Sequence, residues 1–543
     1  MTPTRYSILA ASLAALLLSA CGSGDKPAAK EETAAAAPKV PAPAAFNVAL
    51  CLNDHCGLVD QAGGMLVPFE NDYDSFSSFV MHETALVKKN EQWQLLDAKT
   101  KAPIKMLDGD VYNAVPGYFG FERDGKVGLM DYKGNEVQAP RFDQLYTGGE
   151  DQYIGFDIGE KRGLLDTHGK LLAEALYDSA EVRDDFDQRG GLVAAERGET
   201  RWVIDLKNGA QKEVPYERLG KLYDGHMVAS VVLANKSGLA DASGALAIPL
   251  KYEWLGEPGE GLVAFREKGD SCGYMDYQGK VVIEPRFISC HAFGKKGAFV
   301  KEHTADGGVG KAGFIDRSGA WIVQPTYADV GEAEHSVLGM IGYVPGYNAI
   351  YKETGPLSYD VGLFDTNQGR ELLAPGFQQV GVLTPDRLLF SPKNAPMLDF
   401  SFLGQANKVP AVGLMDAGGK VLLKPERFIN LTLDKSGRYI VGTDGAERPR
   451  EALYDLDGKE LIAPQWHKLV VDLENAVVFG YEVEGMGDDE VRHLKAAYDL
   501  AGKPLFVVKR TECGAEQLVD GAGKTVWPQD PKPYCAADAG KAG

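Results

Sequence analysis

The chain has 543 residues, of which 77 are acidic and 57 basic, for a formal net charge of -20. Such an acidic balance argues against nucleic acid, and against anionic lipid or glycan, as a general partner. Apolar residues make up 44%, enough for large cores, and no apolar run reaches the roughly 20 residues that a membrane-spanning helix needs.

In chain order, the first element reads as a signal peptide over residues 1–20. Arg5 supplies its positive charge, and Ile8 to Leu18 form a short apolar stretch. Then comes Leu18-Ser19-Ala20-Cys21-Gly22. An aliphatic residue, two small residues and a cysteine resemble the lipobox of bacterial lipoproteins. That resemblance implies cleavage before Cys21 and lipidation of its thiol, so that the protein is anchored to a membrane without crossing it. Gly22 stands where an inner-membrane lipoprotein tends to carry aspartate, which favours the outer membrane, on its periplasmic side or at the surface. Residues 21–45 follow as an Ala/Pro-rich tether with almost no large side chains, expected to be disordered, as are residues 537–543.

With Cys21 lipidated, six cysteines remain in an oxidising compartment. They fall in three local pairs: Cys51/Cys56, Cys272/Cys290 and Cys513/Cys535. Local pairing is the simplest of the fifteen connectivities. A zinc site is the weaker reading, because there is no Cys-x-x-Cys and only His55 and His291 lie near a cysteine.

From residue 46 the chain repeats itself. Gly128 to Phe142, Gly273 to Phe287 and Gly313 to Tyr327 align without gaps. Weaker copies begin near Gly57, Trp93, Gly163, Trp202, Gly238, Gly362, Gly413, Ala452, Ala497 and Gln517. An aspartate marks each copy: Asp60, Asp97, Asp131, Asp166, Asp205, Asp241, Asp276, Asp316, Asp365, Asp416, Asp455, Asp499 and Asp520. A short apolar strand leads into Asp-x-x-Gly, a turn in which the carboxylate bonds backbone amides and Gly takes a positive φ. A return strand follows, with Val281 and Ile283 on alternate positions. A proline is expected to end its ladder, and the aromatic two residues later enters the core. A third strand precedes many units, as at Gly261–Phe265 and Gly297–Val300.

The unit resembles the WG repeat of bacteria from about Phe46 to Cys535, although Val127, Cys272 and Ala312 stand where that family has tryptophan. The resemblance implies a β-repeat architecture and binding roles. An all-β fold is expected, with tandem hairpins stacked as an elongated solenoid or superhelix; a β-propeller-like arrangement is the alternative. Long segments at Gly346–Tyr359 and Ser391–Pro410 suggest two arrays, 46–345 and 346–536.

There is no His-Glu-x-x-His motif of a zinc hydrolase. Gly307 to Lys311 imitates a phosphate loop but lacks its first glycine and its Ser/Thr. The acidic clusters Asn71-Asp72-Asp74, Asp184-Asp185-Asp187 and Asp488-Asp489-Glu490 fit no EF-hand pattern. His168 and His467 have no partner visible in the sequence. The expectation is therefore a non-enzymatic protein-binding or scaffold lipoprotein of the cell envelope, without cofactor or metal. The alternative is a glycan-binding module, since hairpin repeats with aromatics loosely resemble cell-wall-binding repeats.

Overall fold

Short apolar strands broken by Asp-x-x-Gly turns can bury their faces only by stacking, and the computed structural model shows how they do so. It describes residues 45–535, apart from 149–151, 182–190, 233, 335–342, 357, 403–404, 447 and 486–489. The signal peptide, Cys21, the tether, the Asp184-Asp185-Asp187 cluster, Asp488-Asp489 and the tail lie outside the described residues. The protein is all-β, and among the described residues the one short helical turn is Lys532–Tyr534. Among the described residues no helix is long and apolar enough to cross a membrane.

The unit has four strands, one more than the sequence pattern suggests. In one example Gln144–Gly148, Tyr153–Ile158, Lys161–Leu165 and Leu171–Tyr177 pair in chain order, all antiparallel. The middle strands are buried on both faces. Ile154, Phe156 and Leu165 meet Leu129 and Phe142 of the preceding sheet, whereas Tyr153, Leu164 and Tyr177 meet Val193 and Ile204 of the next. Such strands read as continuous apolar runs because neither side faces water.

Further along, units fuse. Val281–Cys290 pairs with Cys272–Asp276 through its first half and with Ala298–His303 through its second. The return strand of one unit thus runs on as the first strand of the next. Pro285 does not end the strand, contrary to the sequence expectation. It lies at a register shift between the Cys272↔Phe287 and Tyr274↔Ile283 pairs, and at a bulge a missing amide donor costs the ladder little. The shift also changes which residues point inward: Ile283 is buried, but Val281 and Val282 are exposed.

The two long segments are strand extensions and a hairpin. Tyr343–Gly355 pairs with Ser358–Asp365, and Met397–Phe402 with Gln405–Pro410. Residue 345 falls inside the first of these strands.

In place of two free ends, the first and last sheets share one core. Phe46, Val48, Leu50 and Phe69 pack with Val477, Phe479, Phe506 and Trp527. Phe69 stacks on Trp527 at 4.4 Å, and Phe46 meets Phe479 edge-on at 5.6 Å. The turns repeat the same placement across this join. Gln138 Nε2 donates to the Gly169 carbonyl of the following unit (2.8 Å), and Arg286 Nη2 to that of Gly319 (2.7 Å). The Gly63 turn of the first sheet lies on Phe506 of the last, so closely that a methyl on Gly63 would come within 2.7 Å of Phe506 Cβ.

Candidate binding surfaces

The repeated aspartates are used up by the turns. Asp276 accepts from the amides of Gln278 (3.0 Å) and Lys280 (2.9 Å). Asp60, Asp131, Asp166, Asp316, Asp416 and Asp455 hold amides two and four residues ahead in the same way. So do Asp241, Asp499 and Asp520. Asp97, Asp205 and Asp365 cap variant turns. The Ser318 hydroxyl, which also donates to Asp316, holds that carboxyl below the usual carboxylate range.

The glycine that opens the three strong copies has a different cause. A Cβ on Gly273 would strike the Ile283 carbonyl and approach Pro285 N to 2.7 Å, because the bulged return strand crosses there. The residue before it pairs with the aromatic after the proline: Val127 with Phe142, Cys272 with Phe287, Ala312 with Tyr327. Cys272 packs with that aromatic and is also joined to Cys290. The other disulfides are Cys51–Cys56 and Cys513–Cys535. All six thiols are thus engaged, and His55 packs against the rings of Trp527 and Tyr534.

His168 sits in the Asp166 turn, its amide bonded to that carboxylate. His467 Nδ1 lies 2.6 Å from Glu482. Gly307 belongs to a turn between paired strands, and Lys311 lies within the second of them. Asp74 caps the amide of Glu91, and Glu490 pairs with Arg492. Among the described residues no three His, Cys, Asp or Glu side chains converge as metal ligands. Trp466 and Trp527 are buried, and Trp93, Trp202, Trp254 and Trp321 are half-buried against cores.

Two features emerge that sequence motifs do not mark. The first is a series of exposed apolar side chains on the return strands: Met65, Val281, Val282, Ile322 and Val421, each 39–48% exposed and five or six residues after a turn aspartate. The second is a cavity of about 190 Å³ lined by Trp254, Glu257, Cys290, His291, Glu332 and Asn348. Burial pushes the Glu257 carboxyl up to about 7, with Glu332 adding to the rise and Lys221 opposing it. Partial desolvation at the cavity wall also raises Glu332, which is otherwise exposed, again against Lys221. The His291 ring is lowered to about 4 by burial, opposed by Asp329 and assisted by Lys301. The sequence does hold a positional signal for this cavity. Lys221, Glu257 and Glu332 each stand five residues after the aromatic of their unit (Tyr216, Tyr252, Tyr327), and His291 four after Phe287.

No curated protein matches the chain. Among solved structures it is similar to a eukaryotic initiation factor (11% identity, 76% of this chain and 95% of that one, TM-score 0.35). It is also similar to the tricorn protease (10%, 84% and 58%, TM-score 0.26) and to dihydro-heme d1 dehydrogenase NirN (12%, 87% and 78%, TM-score 0.23). Scores this low carry no conclusion about fold or function. A family model does match, over three consecutive segments that contain the Gly238, Gly273 and Gly313 units: residues 238–270, 273–302 and 313–335 are similar to the WG containing repeat.

Proposed function

We propose that this chain is an envelope lipoprotein, anchored to the outer membrane through Cys21, that uses its β-repeat unit as a non-enzymatic surface for binding envelope proteins. One observation carries the reading: exposed apolar side chains stand five or six residues after the turn aspartate on four return strands, at Met65, Val281 and Val282, Ile322 and Val421. Single exposed apolar residues are ordinary, but a repeated set offers a partner a regular surface. The Leu18–Cys21 lipobox supports the anchor. The shared core of the first and last sheets, and the turn contact that continues across it, support a closed, propeller-like ring of sheets over an elongated stack.

In-cell cross-linking of the tagged lipoprotein, followed by mass spectrometry, tests the binding reading. Reproducible capture of a few envelope proteins is expected, and Val282→Asp with Ile322→Asp should abolish it. Capture of nothing, together with sedimentation of the purified protein with isolated sacculi, would replace this reading with glycan binding. Turnover of a cell-wall polymer would replace it with an enzyme. Negative-stain images should show a closed particle; extended rods would overturn the ring.

A further inference from the structure

We propose that the cavity between Trp254, His291 and Glu332 binds a small primary amine, held as its ammonium ion by Glu257 and Glu332. This inference stands apart from the scaffold reading, since a chain that captured no protein would still present the same cavity.

The groups in the cavity are almost all acceptors. Glu257 and Glu332 offer carboxylate oxygens. Asn348, only 2% exposed, uses Nδ2 to bond the Gly331 carbonyl (3.1 Å), and its Oδ1 has no donor among the described residues. The His291 ring is neutral across the physiological range, and a neutral imidazole offers one acceptor nitrogen. An ammonium group has three donors and no acceptor, which is the complement of this set. The half-buried Trp254 indole, whose ring already carries the Arg266 guanidinium at 5.7 Å, gives the alkyl part an apolar wall. At about 30 Å³ per water, the space of about 190 Å³ suits a few heavy atoms, not a polymer.

The charge balance points the same way. The carboxyls are raised because desolvation is only partly offset by Lys221. A cation in the cavity supplies what they lack, and it favours ionised Glu257. Around the site, Lys221 acts on both Glu257 and Glu332, Asp329 and Lys301 act on His291, and Arg266 lies over Trp254. Of these, Glu257 is the group whose titration falls near neutrality.

The test is ¹⁹F NMR of the full-length protein labelled with 5-fluorotryptophan in detergent. The Trp254 resonance is assigned by Trp254→Phe, and the other five tryptophans report the fold. Millimolar n-propylammonium chloride at pH 8 should move the Trp254 signal saturably. Binding should be roughly tenfold weaker at pH 6, following ionisation of Glu257. n-Propanol and calcium chloride should leave the signal in place. Glu257→Gln should flatten the pH dependence, and Glu332→Gln added to it should abolish the response while the other signals stay put. A Trp254 signal unmoved by the amine, moved as much by propanol or calcium, or still responsive in the double variant would overturn the proposal.

Discussion

The side chain of Asn53 stands in for a strand alongside Glu516. Its Nδ2 donates to the Glu516 carbonyl (2.8 Å), and the Glu516 amide donates to its Oδ1 (2.7 Å). The two residues are 463 positions apart. Nearby, the Trp527 indole and the Tyr534 hydroxyl both donate to Glu70 (2.7 Å each). Asn53→Ala removes both bonds of a half-buried pair and should lower stability by about 1–3 kcal/mol. Urea unfolding measures this; an unchanged midpoint would show that the polar join adds nothing to the apolar core beneath it.

The glycines of the unit should differ in their response to alanine. At Gly279 (φ +81°) nothing lies within 4 Å of an added Cβ, so only the backbone is strained, by about 1–2 kcal/mol. At Gly273 the new methyl collides with the backbone of Ile283 and Pro285. Gly273→Ala should cost more than Gly279→Ala, roughly 3 kcal/mol or above. Thermal unfolding of the two variants decides the order, and equal shifts would contradict the close approach at the bulge.

Glu257 sets a pH signature. Its folded pKa, about 7, lies above the ordinary 4.5. Its contribution to stability is therefore complete below pH 4.5 and is lost as pH rises through 7. Glu257→Gln should leave stability unchanged near pH 4.5 and increase it at pH 8. The gain should be up to about 2–3 kcal/mol, because each tenfold change in proton affinity between the folded and unfolded chain is worth about 1.4 kcal/mol. Equal stability of the two proteins at pH 8 would contradict the burial of this carboxyl.

The turn aspartates act in the opposite sense. The Ser318 hydroxyl holds Asp316 below its ordinary value, and the Thr100 amide does the same for Asp97. A depressed carboxyl stabilises above its unfolded pKa, and that stability is lost as pH falls through the folded one. Denaturant midpoints should therefore drop below about pH 4, and Asp316→Asn should drop less steeply than the parent. Parallel curves for the two proteins would remove the turn from the explanation.

The disulfides should rank by loop length. On the chain-entropy model the bridges of 18 and 22 residues, Cys272–Cys290 and Cys513–Cys535, contribute about 3 kcal/mol each, and Cys51–Cys56 about 2 kcal/mol. Double serine variants followed by urea unfolding give the order.

Local features are legible in the sequence and distant ones are not. Asp276 and Gly279 lie three residues apart, and Cys272 and Cys290 bracket one hairpin, so chain connectivity alone brings them together. The fourth strand escapes a sequence reading because stretches such as Gln144–Gly148 carry little alternation. Pro285 misleads because a missing amide ends a strand only where the ladder needs that donor. Phe46 and Phe479 carry no mark of each other, and neither do Asn53 and Glu516; only the stacked fold makes them neighbours. Glu257 and Glu332 look like ordinary surface acids until their common offset from Tyr252 and Tyr327 is noticed.

The core shared by Phe69 and Trp527 also restricts how such a chain can evolve. An open stack can lengthen by duplicating one unit, because the copy adds to an end. Here a duplicated unit would push the two ends out of register and expose both of their apolar faces. With both ends committed to one core, the hairpin of Met397–Phe402 and Gln405–Pro410 is the kind of place where length can change without moving the join.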